Sequence, residues 1–89
     1  MAEIRFTSWL RELAPAEAVS VAGGTVAEAL TALWTREPQL RGYVLDDQGR
    51  LRKHVCIFAD GQRLKHDVAL DHALGPESKV YVMQALSGG

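Results

Sequence analysis

Val26, Leu30 and Leu33 recur at four and three residues with Ala29 beside them, which lays a single apolar stripe along one side of a helix. Thr25 stands where it can accept a backbone N–H at the helix start, and Glu28, three residues on, can reach back toward it. This is the pattern of a capping box. Gly23-Gly24 punctuates the chain just before, and Pro38 stops the helix just after, so the spacing predicts a helix over about Val26 to Arg36. No other segment shows this period over a comparable length. A chain of 89 residues with one such helix must build the rest of its core from strands.

The strands are legible in the alternation. Residues 2–7 place Ile4 and Phe6 on one face and Glu3, Arg5 and Thr7 on the other. Residues 17–22 repeat the pattern with Val19 and Val21 inward, and Ser8 to Pro15 is long enough to join the two as a wide-turned hairpin. Arg41 to Lys53 reads as mostly polar, apart from Tyr43 to Leu45, with a turn at Asp46, Asp47 and Gly49. His54 to Ala59 is the strongest strand, and Asp60-Gly61 after it favours a tight hairpin with a short return over Gln62 to Leu64. Asp71 to Leu74 reads as one helical turn, ended by Gly75-Pro76. Lys79 to Leu86 is the last strand, with Val80 and Val82 alternating against Tyr81 and Met83. The order predicts an α+β roll of the β-grasp type: a mixed sheet of about four or five strands with one main helix crossing one face. The expected organisation is one domain over 1–86 and a short tail over 87–89.

Composition narrows the class. Hydrophobic residues make up 47% and charged residues 24%, which argues against disorder. Ten basic against eleven acidic side chains leave a net charge of −1, so neither a strongly basic nucleic-acid binder nor an acidic tail is expected. The longest apolar run, Val55 to Ala59, is far short of a membrane span, and Glu3, Arg5, Arg11 and Glu12 stand where a signal peptide would need apolar residues. The expected setting is the cytoplasm. One cysteine, Cys56, excludes an internal disulfide and any four-cysteine metal site. Cys56 reads as a half-buried strand residue. His54, two residues before it on the same strand, has no third group to complete a catalytic set. The spacing of His54, His66 and His72 matches no ligand pattern, and Ala22-Gly23-Gly24-Thr25 lacks the Lys and the spacing of a P-loop. No metal, bound cofactor or catalytic residue is expected.

The chain closes with Ser87, Gly88 and Gly89. Two glycines contribute nothing to a core, but they can thread a narrow channel. Fully extended, Leu86 to Gly89 reaches roughly 13 Å at about 3.3 Å per residue. The ordered pieces are LREL at Leu10 to Leu13, GGTVAEAL at Gly23 to Leu30, HVCIFADGQRL at His54 to Leu64, a one-turn segment ending in Leu74-Gly75, and KVYVMQALSGG. With these pieces and this ending, the sequence resembles the MoaD/ThiS sulfur-carrier family of ubiquitin-like proteins.

That resemblance implies a carrier rather than an enzyme. An activating enzyme of the ubiquitin-activating type would use ATP to adenylate the Gly89 carboxylate. A persulfide or sulfide would then displace AMP and leave a thiocarboxylate at Gly89. The sulfur would pass to a biosynthetic enzyme making molybdopterin, thiazole, cysteine, a thiolated tRNA or a sulfur-containing natural product. Gly88 and Ser87 would thread the enzyme's channel. Ser87 stands where the family often has Ala or Thr, and Arg41 to His54 is longer than in the shortest thiazole-pathway carriers, which leans toward MoaD-like or longer carriers. Rival readings are a protein modifier joined to lysines through Gly89, and an adaptor domain whose tail is irrelevant.

Alternation also predicts a docking surface. If Val55, Ile57 and Ala59 face the helix, then Phe58, Tyr81 and Met83, with Leu86, form an apolar patch on the other side of the sheet. Trp34 is expected to cover the core edge and Trp9 to pack in the first connection. Arg50, Arg52, Lys53, Arg63 and Lys65 gather half of the basic residues between 50 and 65, with Asp60 the only acid there. They read as a solvated sheet edge or as a docking surface for an acidic partner.

Overall fold

The computed structural model describes residues 1–6 and 18–84. Five strands form one mixed sheet: β1 (Ala2–Phe6), β2 (Val19–Val21), β3 (Val55–Ala59), β4 (Gln62–Arg63) and β5 (Lys79–Gln84), in the order β2-β1-β5-β3-β4. β1 pairs antiparallel with β2 and parallel with β5, while β5 pairs antiparallel with β3. The parallel register joins Ile4 to Val80 and Phe6 to Val82, so the start of the chain lies beside its last described strand. The architecture is the α+β grasp expected from the element order.

Helix α1 spans Val26–Arg36. Its stripe of Val26, Ala29, Leu30 and Leu33 is buried against Ile4, Phe6, Val19, Val21, Val55, Ile57, Val80 and Val82. Each fully buried Leu, Ile or Val contributes roughly 1.5–3 kcal/mol relative to exposure, so this interface holds the domain together. Thr25 Oγ1 accepts the Glu28 N–H at 3.2 Å, as a capping residue should. The Glu28 carboxylate accepts from the Gly24 N–H at 2.7 Å, one residue earlier than the usual box, because the Gly23-Gly24 turn brings that donor over the helix start.

The structure corrects several local expectations. Pro38 does end α1, but it also opens a 3-10 turn over Pro38–Leu40, which runs into a one-turn helix, α2 (Arg41–Val44). Leu40 and Val44 are fully buried, so this segment is a lid on the core rather than a polar connection. Its two buried residues, Leu40 and Val44, are four apart, too few for periodicity to register. The turn expected at Asp71 to Leu74 lies earlier, over Ala69–Asp71. It cannot continue, because the following backbone is drawn alongside the α1 approach: His72 O accepts from Val26 N–H at 3.0 Å and Leu74 N–H donates to Gly24 O at 2.9 Å. β2 is shorter than the alternation suggested, and β3 begins at Val55, leaving His54 in the turn before it rather than beside Cys56 on a strand face. β4 is shorter as well, although Leu64 N–H still donates to Ile57 O at 2.9 Å. The Ser8 to Pro15 connection and Trp9 fall outside the described residues.

A Cβ built on Gly23 would come within 2.5 Å of Ala29 N and 2.8 Å of its Cα, both backbone atoms of α1. Gly23→Ala is therefore expected to lower unfolding free energy by about 1–3 kcal/mol in urea titration, the typical cost of forcing a group into packed backbone. An unchanged midpoint would show that the Gly23 turn does not set the helix approach.

Candidate functional site

The pleat sorts β3 and β5 into two faces. Val55, Ile57 and Ala59 are buried under α1, as are Val80 and Val82. Cys56, Phe58, Tyr81 and Met83 are half-buried on the opposite face. The register sets Phe58 directly across from Tyr81 and Cys56 across from Met83. These two cross-strand pairs make one contiguous apolar strip. Arg5 pairs with Tyr81 from the β1 side and Arg63 with Phe58 from the β4 side, giving the strip a cationic margin on both flanks. Phe58, Tyr81 and Met83 are thus brought together on the face that the alternation assigned them. Leu86, Ser87, Gly88 and Gly89 fall outside the described residues.

One contact that the sequence does not reveal positions β5. The hairpin between β3 and β4 turns through Asp60 at φ 51° and Gly61 at φ 85°, the two positive angles of a tight type I′ connection. The Asp60 carboxylate accepts the Lys79 N–H at 2.9 Å, and Asp60 N–H donates to Lys79 O at 2.9 Å. The backbone N–H of Lys79 and the hydroxyl of Ser78 hold the Asp60 carboxyl below its ordinary value of 3.8, outweighing partial desolvation. Ser78 Oγ in turn accepts from Gly75 N–H at 2.8 Å. The tip of one hairpin is thereby clamped to the first residue of β5, the strand that leads to the tail. An Asp in a DG turn reads as turn chemistry alone; only the neighbouring strand gives its carboxylate this second task.

Trp34 packs against the core edge, with its indole N–H buried and without a hydrogen-bond partner among the described residues. Among those residues no group of three or more His, Cys, Asp or Glu side chains gathers as a metal site would require. No helix among them is long and apolar enough to cross a membrane.

This architecture defines a ubiquitin-like β-grasp domain, and the comparisons agree. The chain belongs to the ThiS family, whose profile matches residues 4–89. Among solved structures, SAMP1 from Haloferax volcanii is 28% identical with a TM-score of 0.76, the match covering 99% of this chain and 98% of that one. CysO structures are more distant in sequence and closer in shape. The Amycolatopsis orientalis BexX/CysO complex gives 16% identity, a TM-score of 0.84 and complete coverage of both chains. Mycobacterium tuberculosis CysO gives 18% and 0.83, covering 97% of this chain and all of that one. No curated protein sequence matches the chain. In class, the protein is a ubiquitin-like sulfur carrier or modifier.

The Asp60 clamp has a pH signature. A carboxyl held below its ordinary value stabilises the fold above pH 3.8, and that contribution is lost as pH falls through the lower folded-state value. Asp60→Asn is expected to be less stable than the parent at neutral pH, with the gap closing on acidification below about pH 4. Thermal melts of both proteins across that range would show it; a gap independent of pH would mean the carboxylate charge plays no part.

Proposed function

We propose that the protein is a sulfur carrier that works through the carboxylate of Gly89. The observation that carries the reading is the ThiS-family match running through Gly89, on a fold whose β5 leads toward the Gly-Gly ending. A free carboxylate is a poor electrophile. Attack of its oxygen on the α-phosphorus of ATP, with pyrophosphate leaving, gives an acyl adenylate in which AMP is a competent leaving group. Sulfide displaces AMP directly and leaves a thiocarboxylate on Gly89; a persulfide displaces AMP to give an acyl disulfide, from which a second thiol releases the thiocarboxylate by forming a disulfide with the donor's sulfur. This chain is the substrate throughout; an adenylating enzyme binds ATP, and an acceptor enzyme takes the sulfur. Ser87 and Gly88 keep the tail slim enough for an active-site channel. The strip of Phe58, Tyr81 and Met83 is the surface on which those enzymes dock, since aromatic and Met side chains within a cationic margin suit a recurring interface.

A specific observation favours a second reading. The chain is 26% identical, over 96% of its length, to the H. volcanii small archaeal modifier protein 1. A modifier would transfer the same activated Gly89 to a lysine amine, forming an isopeptide bond in place of a thiocarboxylate.

Intact-mass measurement after incubation with ATP, sulfide and host extract distinguishes them. The carrier gains one oxygen-to-sulfur exchange mapped to the Gly89 peptide; the modifier instead yields a ladder of higher-mass conjugates. Deleting Gly89 is expected to abolish either product without altering the fold. Unmodified carboxylate throughout would sink both. Tyr81→Glu, which places a charge in the strip, is expected to slow product formation on the order of tenfold or more while the domain stays folded. An undiminished rate would remove the strip from the docking surface.

A further inference from the structure

A cleft of about 520 Å³ opens beside the first half of β3. It exists because β4 is two residues long: Phe58 and Ala59 pair with Arg63 and Gln62, but Val55 and Cys56 have no partner in β4. Among the described residues, no strand fills that space. The cleft has two chemistries. Its apolar lining is Leu51 and Val55, which are buried, with half-buried Cys56 and Leu64. Around these stand the exposed cations Lys53, Arg63 and Lys65, with His66 and a single carboxylate, Asp67.

The three cations make no ion pair with any described residue, whereas Arg52 nearby is engaged, its Nε donating to Gly42 O at 2.7 Å. Asp60, three residues before Arg63, is committed to the Lys79 N–H, which leaves Asp67 as the one carboxylate in the lining. On a chain of net charge −1, this is a local excess of positive charge around an apolar floor. A solvated edge strand would need the charges but not the floor.

We propose that this cleft binds an extended acidic segment of a partner protein, whose apolar side chains enter between Leu51 and Leu64 while its carboxylates face Lys53, Arg63 and Lys65. Strand-like geometry suits the gap that the short β4 leaves beside Val55 and Cys56. A nucleic acid is disfavoured because no Phe, Tyr or Trp among the described residues lines the cleft to stack a base, and the one imidazole there, His66, is bonded through Nε2 to Arg52 O at 2.9 Å. The site lies toward the edge of the sheet beyond the Phe58–Tyr81 strip, so one partner could occupy both, or two partners one each. The proposal is independent of what happens at Gly89.

The test is titration of the isotope-labelled full chain with a synthetic peptide of alternating Glu and Leu, followed by amide chemical shifts. Shifts are expected at Lys53, Cys56, Arg63, Leu64 and Lys65, fading as salt is raised. Lys53→Glu with Lys65→Glu should weaken binding on the order of tenfold or more, both side chains being exposed and removable without disturbing the core. An alternating Lys and Leu peptide should not bind. Two results would overturn the idea: equal binding of the Lys and Leu peptide, or shifts confined to Phe58, Tyr81 and Met83. Tighter binding of a thymidine oligonucleotide at the same residues would replace the acidic peptide with nucleic acid. The shift map on the parent chain and the comparison of the two peptides do not depend on the double variant's folding, and no readout involves ATP or Gly89, so failure here leaves the carrier reading standing.

Discussion

β5 lies between β1 and β3, parallel to one and antiparallel to the other, and the geometry of the whole domain follows from that position. The parallel pairing joins residues more than seventy positions apart, so it forms only when the intervening chain has folded back over the sheet. α1 makes that return worthwhile. Its stripe covers Ile4, Val80, Val82 and Ile57 together, which none of the three strands could bury alone. With the helix holding one face dry, the pleat must send Tyr81, Met83 and Phe58 to the other. The apolar strip is thus the necessary complement of the core.

Two small devices hold the elements together, one at the helix and one at β5. Gly23 lets the chain pass within van der Waals contact of the first turns of α1, and Asp60 reaches from the β3–β4 hairpin to the first residue of β5. Of the two, the Asp60 contact bears on where β5 points. A carrier or modifier that offers its tail to an enclosed active site must present it in a reproducible direction, because such a site tolerates little variation in approach. The Asp60 contact therefore matters to the reading of function as well as to stability.

Much of this was open to inspection in the residues themselves. The capped helix, the alternation of β1, β3 and β5 and the DG hairpin depend on spacings of two to four residues, and each was found where those spacings put it. The errors have a common origin. Leu40 and Val44 carry too short a pattern to declare a helix, and the 3-10 turn at Ala69–Asp71 ends where it does only because residues 72–74 bond to the approach of α1. His54 looked like part of a strand because its neighbours are strand formers, but the sheet pairing begins at Val55.

The division between sequence and tertiary structure is clearest at the surface. Alternation alone determined that Phe58, Tyr81 and Met83 share a face, since successive strand residues must point to opposite sides. The residues by themselves also supplied the slender Gly88-Gly89 pair that the family match extends to. Only the folded sheet decided that Phe58 meets Tyr81 and Cys56 meets Met83, because register depends on which strands become neighbours. The cleft beside Val55 belongs wholly to the tertiary structure. Its floor and its cations come from separate segments, and the space between them exists only because β4 stops two residues after it begins.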